Sequence, residues 1–558
     1  IVPEDDSKHI SIFCSVCQQT IDPHHLFYHK KTHKALTLLG FDNAQTKTDN
    51  KTLLAQRQKV VSKLTKIPKY SETRRQKIDY SFEFLLDNNA PTSDCDLANT
   101  NNPSTFKKVN NSLIKALSIC QDKNSTWQAG MEDRFIVLDN YGNRSDTCFL
   151  GLFDGSHGAT AAETVAAELP LLFLDQLAQT DASYIKSKDE QQILDSFATV
   201  IKADYREKEK IFSDKPGNAK TCKTNTYEWI HKAYAKSFWR MDRLLRLGRN
   251  EDSKVRWSGC SAVTCLVERI PSKERDGTEE EGKNHSGSTT HSPLTRTSKG
   301  TAGLLHMANI GNAHAVLCKN GKSHCLSKEH STSNASERKR ILQNGGNISS
   351  SEPGGLVEGH LRTTRGLGHH GDPVLKRCVI PVPHTVSVLI DDTCQFLILA
   401  SNGLWEVLDY NEVLALTLTT FTHYLKRYEC VQQNRASLTE DNLNDSKAIT
   451  DLQDGREMLY SRKMDSKLFC DKLASYAGQE LLKTVSPVGS KPPSPQFEED
   501  TKTYLSSCES QSAGRSRVTS EMLYDSAASY ISQQLVKTAL AAGSRDNITV
   551  LIVLLNGC

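Results

Sequence analysis

The sequence predicts an α+β protein in which two stacked antiparallel β-sheets are flanked by helices. Short β-like runs bounded by Gly, Asn, Asp or Ser form two blocks, at about residues 135–153 and 262–318. Longer stretches with helical spacing of apolar residues interrupt and follow them, at 159–177, 228–247 and 520–542. Strands in blocks, with helices between and after them, are typical of such a sandwich.

Each longer element has its own signal. In residues 228–247, Trp229, Tyr234, Phe238 and Met241 recur at helical intervals, so one face of that helix is expected to be buried. The helix predicted at 159–177 begins just after Gly158. The last run, 548–555, reads I-T-V-L-I-V-L-L, which is typical of a buried strand.

Composition divides the chain into three parts. Residues 8–40 form a compact Cys/His module, and residues 41–124 are rich in Asn, Lys and Thr and are predicted to be a polar linker with one helix near 53–64. The main domain covers 125–558. Two polar insertions in it, at about 271–300 and 429–517, are predicted to be exposed loops.

The overall charge gives no indication of a nucleic-acid or membrane partner. Lys and Arg number 69 and Asp and Glu 66 in 558 residues, a balance that does not by itself imply either kind of partner. The sixteen cysteines are scattered apart from one close pair, which favours a reducing intracellular setting, cytoplasmic or nuclear. No window approaches the ~18–20 apolar residues of a membrane span.

Eight motifs of the main domain occur in an order shared with one enzyme family. They are M-E-D at 131–133, L-F-D-G-S-H-G at 152–158, S-G-C-S-A at 258–262, A-N-I-G-N-A-H at 308–314, the segment 337–348 with its Gly-Gly pair, G-L-G-H at 366–369, F-L-I-L-A-S-N-G-L-W-E at 396–406 and G-S-R-D-N-I-T-V at 543–550. The series resembles the metal-dependent protein phosphatases of the 2C type. The resemblance covers about 125–555 and implies the 2C-type sandwich, with a metal site in a cleft at one end.

The resemblance also implies a chemistry and its ligands. Two hard divalent cations, Mg or Mn, would bridge a water and lower its pKa so that it attacks phosphorus. Asp154 corresponds to the family's bridging ligand, and Gly155 to the position that offers a backbone carbonyl. Glu132 corresponds to the ligand that acts through water, and Asp546 to a direct ligand. The retained Asp133 is expected just behind these ligands.

Three carboxylates of the family pattern are absent. Asn402 replaces a direct ligand of the metal pair, and Asn312 and His369 replace acids of an accessory metal region. An amide has the shape of a carboxylate without its charge, so metal affinity is expected to fall by ~10–100-fold or more. The alternative is that Asn402 still ligates through its carbonyl oxygen. Glu406 replaces an Asp conservatively.

Two positions that handle the substrate differ as well. Gln128 stands where the family has the Arg that grips the phosphate, and losing that contact costs ~1.5–3 kcal/mol. Ser156 occupies the position of the usual general acid, whose proton transfer is typically worth ~100- to 10,000-fold. His157 is displaced by one residue, which in an extended segment would turn it away from the site. These changes predict an impaired enzyme with no certain catalytic residue.

The N-terminal module has the spacing of a zinc site. Cys14 and Cys17 are followed by His29 and His33, an arrangement that resembles a two-cysteine, two-histidine zinc finger. Two thiolates and two imidazoles suit tetrahedral zinc, with Ile21 and Leu26 expected to form a small apolar core. The alternatives are His24 or His25 as substitute ligands, or a flexible tail without metal.

The leading hypothesis is therefore a phosphatase-like protein, a pseudophosphatase that binds or regulates phosphorylated proteins or active phosphatases in signal transduction. The enzyme alternative is a weak Mg- or Mn-dependent Ser/Thr phosphatase with an altered metal site. A zinc-finger adaptor for nucleic acid is disfavoured, because the charge is near neutral and one finger contacts only about three base pairs.

Overall fold

The computed structural model describes residues 11–42, 47–64, 71–87, 104–213, 227–248, 255–270, 302–349, 355–448 and 520–558. Residues 1–426 and 518–558 form one compact unit, and residues 427–517 form a second. The features below belong to the first unit, except for the part of the helix Tyr410–Ala448 that follows residue 426. The insertion predicted at 271–300 lies outside the described residues, as does the one at 429–517 beyond residue 448.

Helices precede, separate and follow the strands, as the sequence predicts. In the described residues they are α1 (Leu26–Leu38), α2 (Asn50–Leu64), α3 (Ser71–Leu86), α4 (Thr160–Thr180), α5 (Lys188–Asp195), α6 (Ala198–Ile201), α7 (Arg206–Ser213), α8 (Glu228–Leu247), α9 (Ala335–Gln343), α10 (Pro373–Cys378), α11 (Asn402–Trp405), α12 (Tyr410–Ala448) and α13 (Ser520–Ala541). None of them is both long enough and apolar enough for a membrane crossing.

The described strands form a small hairpin and two larger sheets. The strands are β1 (Ile12–Phe13), β2 (Thr20–Ile21), β3 (Thr105–Phe106), β4 (Ile114–Asp122), β5 (Arg134–Leu138), β6 (Thr147–Ser156), β7 (Gly259–Arg269), β8 (Gly303–Ile310), β9 (His314–Lys319), β10 (Lys322–Cys325), β11 (Leu367–Gly368), β12 (His384–Ile390), β13 (Cys394–Ala400) and β14 (Ile548–Leu555). Sheet I has the order β10-β9-β13-β14-β4-β3, and sheet II the order β12-β8-β7-β6-β5 with β11 beside β7. The pairs within both sheets are antiparallel.

Alternation along the strands divides the apolar residues between two layers. In β13, Leu397 and Leu399 pack in the cluster that joins sheet I to sheet II. Phe396 and Ile398 point to the opposite face and pack with α13 in another cluster. On the outer face of sheet II, Phe149 of β6 packs with α4 and α8. The predicted α+β sandwich is confirmed.

The boundary at residue 125 and the linker at 41–124 need correction. Strand β4 pairs with β14 over eight positions inside sheet I, so the sandwich begins before residue 125. Farther upstream, α2 and α3 pack with α1 through Leu36, Leu53 and Ile78. Residues 41–124 are polar on average because Asn, Lys and Thr outnumber the apolar residues, although short apolar runs within the interval fold into helices and strands.

The Cys/His module packs against the sandwich. Ile12 and Leu26 are 1% and 0% exposed and lie in the cluster formed by β13, β14 and α13. Lys30 forms an ion pair with Glu412, and its Nζ donates to the carbonyl of Val407 over 2.5 Å. The expected apolar core of the module is thus shared with the main domain.

Candidate functional site

The retained acidic residues converge at one end of the sandwich. Asp154 lies near the end of β6, Asn402 begins α11 just after β13, and Asp546 lies two residues before β14. The backbone N–H of Asn402 donates to Oδ2 of Asp154 over 2.7 Å. Strand ends from both sheets therefore hold this cleft together. Asn402 therefore joins Asp154 and Asp546 in one group.

Tight backbone packing fixes the acidic turn. A Cβ at Gly155 would lie 2.4 Å from the carbonyl oxygen of Glu132, so no larger residue fits there. The backbone N–H of Glu132 donates to Oδ1 of Asn547 over 2.8 Å. Asp133 lies behind these residues and accepts from Oγ1 of Thr549 over 2.8 Å. Asp133 is thus buried behind the acidic turn and is held by β14.

Two buried carboxylates of this cleft, Asp154 and Asp133, have raised pKa values. Burial raises the pKa of Asp154 well above its usual range, and the nearby charges of Asp133 and Asp546 raise it further. Burial also raises the pKa of Asp133 to about 7, although Ser401 and Thr549 donate to it. Concentrated negative charge in a buried site is costly unless something positive or a donor compensates it.

Asn402 supplies a donor in place of a ligand. Its side-chain Nδ2 donates to Oδ2 of Asp546 over 3.1 Å. The reverse amide orientation would set its oxygen against a carboxylate oxygen, so donation is the favourable arrangement. The acidic residues do not fit a two-cation centre, because one anion is missing and the amide that replaces it occupies a lone pair of another ligand.

The accessory positions are satisfied by neighbouring side chains. Oδ1 of Asn312 accepts from Oγ of Ser261 over 2.7 Å. The ring of His369 lies 3.2 Å through Nδ1 from the carbonyl of Trp257 and 3.3 Å through Nε2 from Oγ of Ser156. Because a carbonyl only accepts, Nδ1 carries the proton and Nε2 accepts from the hydroxyl. Burial lowers the pKa of His369 to about 4, which keeps the ring neutral.

The general-acid turn differs from its predicted geometry. His157 has a left-handed backbone, φ 57°, where an extended segment was expected. Its ring centroid lies 5.8 Å from that of His369, so Ser156, His157 and His369 form one group. The sequence gives no signal for this contact, because residues 157 and 369 meet only through the packing of β6, β7 and β11.

Gln128, at the position where the family has the Arg that binds the substrate phosphate, contacts the protein backbone instead. Its Nε2 donates to the carbonyl of Arg545 over 2.8 Å. The guanidinium of Arg545 lies 4.5 Å from the ring centroid of Trp127. Oε1 of Glu406 accepts from the backbone N–H of Arg545 over 2.8 Å. Gln128 and Glu406 therefore brace the loop that carries Asp546.

The four predicted zinc ligands converge at the other candidate site. The ligand atoms of Cys14, Cys17, His29 and His33 all lie within 4.8 Å of one another. The Cys14 Sγ to His33 Nε2 distance is 3.7 Å, the Cys17 Sγ to His29 Nε2 distance 3.3 Å, and the distance between the two Nε2 atoms 3.0 Å. Tetrahedral zinc with bonds of ~2.3 Å to S and ~2.0 Å to N places such atoms roughly 3.3–3.5 Å apart. The residues fit a single zinc ion.

Local structure explains this convergence. The β1–β2 hairpin presents both thiols, and α1 places His29 and His33 one turn apart on one face. Burial and the adjacent His33 lower the pKa of His29 to about 4, so the imidazole is neutral and able to ligate. Burial raises the pKa of Cys14, an effect that a bound cation reverses. Of the alternative ligands, His25 lies in a short 3-10 turn before α1 and outside the cluster.

Comparisons with known proteins agree with the motifs. A family model described as Protein phosphatase 2C matches residues 271–442. The chain is 43% identical to the human Protein phosphatase 2C-like domain-containing protein 1, over 98% of this chain and 89% of that protein. The mouse protein of the same description is 39% identical over 98% of this chain and 88% of its own length. Protein phosphatase 2C homolog 1 of Saccharomyces cerevisiae is 26% identical over 54% of this chain and 81% of that protein.

Proposed function

Because this chain belongs to the protein phosphatase 2C family, we propose that it is a pseudophosphatase, which keeps the fold and binds proteins without efficient phosphate hydrolysis. One observation carries the proposal. The Nδ2 group of Asn402 donates to Asp546 over 3.1 Å at a position where the family pattern has an anionic ligand. The amide compensates the charge of Asp546 in the absence of a cation.

Other positions support the same conclusion. Gln128 has no charge with which to grip a phosphate, and its amide is directed to the carbonyl of Arg545. Ser156 is a poor general acid, and its neighbour His369 is neutral. Losses of metal affinity, phosphate binding and proton transfer together reduce turnover by several orders of magnitude.

The partners we propose are phosphorylated proteins, active phosphatases or other signalling proteins. The cleft keeps Asp154, Glu132 and Asp546, and backbone hydrogen bonds hold the segments that carry them, while its chemistry is reduced. A domain of this kind acts by occupying partners that recognise the fold. We place this action in an intracellular compartment, cytoplasmic or nuclear, because the cysteines are free thiols in the described residues.

A second candidate is a weak Mg- or Mn-dependent Ser/Thr phosphatase. The observation that favours it is the retention of Asp154, Asp546 and the Gly155 backbone at the end of one cleft. A single hard cation held by these oxygens would still supply Lewis-acid chemistry to a bound phosphoryl group. Under this alternative, hydrolysis depends on the cation and is abolished by Asp154→Asn.

We further propose that the N-terminal module holds one structural zinc. The fit of four ligand atoms to a tetrahedron supports it, with Cys14 and Cys17 as thiolates. Because α1 packs on the main domain through Leu26 and Lys30, the ion would stabilise the docked module as well as its own fold. The module is expected to bind protein partners, and its proposed zinc is independent of Mg or Mn in the cleft.

The deciding experiment measures turnover and metal binding on the same full-length sample. The full chain is needed because β4 and α1 are part of the fold. We expect phosphopeptide turnover at least ~100-fold below that of an active family member at saturating Mn. Turnover within about tenfold of the active enzyme would refute the pseudophosphatase, and slow turnover abolished by Asp154→Asn would favour the second candidate.

A further inference from the structure

A basic pocket lies beside α8, away from both candidate metal sites. It has a volume of about 490 Å³ and is formed by α7, α8, α10 and the segment before α7. Five cationic side chains line it, and two carboxylates accompany them. The cations are Lys208, Arg243, Arg246, Lys376 and Arg377, and the carboxylates are Asp204 and Asp242. The excess of positive charge indicates an anionic ligand.

The two carboxylates are already engaged. Oδ1 of Asp242 accepts from Nζ of Lys376 over 2.6 Å and from the backbone N–H of Gly368 over 3.0 Å, and His370 lies 3.3 Å away. Although burial opposes it, Lys376 and His370 lower the pKa of Asp242 to about 2. Asp204 is exposed and pairs with Arg206 over 2.9 Å. Neither carboxylate neutralises the remaining arginines.

One arginine has a buried donor without a partner. Nε of Arg243 is inaccessible to solvent and has no hydrogen-bond partner among the described residues. A solvent-inaccessible Nε cannot meet a ligand directly, so Arg243 contributes to the pocket through its positive charge. The exposed side chains of Arg246 and Arg377 stand at the opening of the same pocket.

The walls restrict the size of the ligand. Tyr205 and Trp239 are 5% and 4% exposed and give the pocket an apolar base. The Tyr205 hydroxyl donates to the carbonyl of Val200 over 3.0 Å, so it is not available to a ligand as a donor. Recognition must therefore come from the guanidinium and ammonium groups. A compact, multiply charged anion matches this combination better than an extended one.

We propose that this pocket binds a phosphate monoester, as found on a phosphorylated side chain or a small phosphorylated metabolite. A phosphoryl group carries about −1.5 to −2 charges at neutral pH and three strong acceptor oxygens, which suits several guanidinium groups at once. A single carboxylate offers less charge and fewer oxygens. The site recognises the anion without hydrolysing it, since Asp242 is paired with Lys376 and His370, and Asp204 with Arg206.

The proposal does not depend on whether the cleft is catalytic. His370 lines the pocket and follows His369, which contacts Ser156 at the general-acid turn. The pocket and the cleft thus have adjacent residues in the sequence, but different side chains line them. An inactive cleft and an active one are both compatible with phosphoryl binding here, so failure of either proposal leaves the other open.

The test is calorimetric titration of the full chain without added Mg or Mn. The probes are a phosphoserine peptide, its unphosphorylated counterpart, inorganic phosphate and adenosine monophosphate. We expect the phosphate-bearing probes to bind and Arg246→Gln to weaken them at least tenfold, because one charge-assisted contact is lost. Lys339→Gln is the control, since Lys339 is exposed on α9 and gives the same change in net charge.

A second variant is expected to raise phosphate affinity, a result that a misfolded protein cannot give. Asp204→Asn removes a negative charge from the pocket wall and keeps the side-chain oxygen that accepts from the backbone N–H of Arg206, so phosphate affinity should rise about twofold. Preference for the peptide over the two small probes identifies a phosphoprotein, whereas equal binding identifies a free phosphate monoester; either supports the site. Equal affinity for the unphosphorylated peptide, or no effect of Arg246→Gln, would overturn it.

Discussion

In the N-terminal site, two thiols and two imidazoles stand 3.0–3.7 Å apart at their ligand atoms, whereas in the cleft an amide N–H group reaches across to Asp546. In the first group, four ligand atoms face one another and fit a shared cation. In the cleft, the neutral amide of Asn402 donates to Asp546 instead. Whether a set of ligand residues can bind a metal therefore depends first on what compensates their charge, and only secondarily on which residue types are retained.

The two sites are also connected. Phe27, next to the Leu26 that packs in the shared core, lies so close to Gly543 that a Cβ there would be 2.3 Å from its ring. Gly543 begins the loop that ends at Asp546, and Lys30 donates to the carbonyl of Val407, shortly after α11. The Cys/His module therefore packs on the loop that carries Asp546 and on the segment that follows α11.

The largest expected effect comes from removing a zinc ligand. Cys14→Ser should abolish stoichiometric zinc, because structural zinc has an apparent binding free energy of ~10–16 kcal/mol that depends on all four ligands. Metal content by mass spectrometry and thermal unfolding of the full chain provide the measurement. Cys325→Ser is the matched control, since Cys325 is exposed and outside the cluster. Retention of one zinc with unchanged unfolding would contradict the assignment.

The next effect concerns the shared core. Leu26→Ala should lower the free energy of unfolding by ~2–5 kcal/mol, because its side chain is 0% exposed and packs with the strands and helices of sheet I. Denaturant titration measures it. Leu38→Ala on the same helix is the control, with a side chain 40% exposed and an expected change within about 0.5 kcal/mol. Similar small losses for both variants would mean that the module folds independently.

Much of the fold followed from periodicity, and the exceptions have physical causes. Residues 228–247 were predicted as a helix and form α8 with the same bounds, since one apolar face is enough to define it. Strand β4 was missed because Ile114, Leu117 and Ile119 are short-range signals within a long polar interval. The packing of Leu26 and Ile21 against sheet I was not predicted, because burial within the module and burial against the sheet give the same sequence pattern.

The sequence predicted which residues lie in the acidic cleft, but it did not predict which of their atoms are in contact. Motif order indicates that Asp154, Asn402 and Asp546 meet, because each motif lies at a strand end. Which amide atom of Asn402 faces Asp546 depends on the neighbouring charges in three dimensions. The same holds for His369, whose bond to Ser156 follows from the pairing of β11 with β7.

A third prediction restores the missing anion. Asn402→Asp should tighten Mn binding at least ~10-fold, because it supplies a direct carboxylate. Without Mn the same variant should unfold at a lower temperature, since two carboxylates then face each other where Nδ2 now donates to Asp546. Calorimetric Mn titration and thermal unfolding with and without Mn measure both effects.

The control for that variant is Asn320→Asp, an exposed residue in a left-handed turn, φ 52°, that tolerates Asp equally. Turnover should remain low until Gln128→Arg and Ser156→His are added. Full phosphatase activity from Asn402→Asp alone would show that the phosphate grip and the general acid matter little, and the comparison of the two sites would lose its basis.

The smallest expected effect tests how the module is attached. Lys30→Gln removes the ion pair with Glu412, whose side chain is 1% exposed, and should cost about 1–2 kcal/mol of unfolding free energy. Glu412 still accepts from the backbone N–H groups of Ser15 and Asp409, which limits the loss. Lys34→Gln on the same helix, exposed, is the control and should change stability little. Because Lys30 is not a ligand, zinc content should stay at one per chain, and loss of zinc from Lys30→Gln would mean that docking and metal binding are a single event.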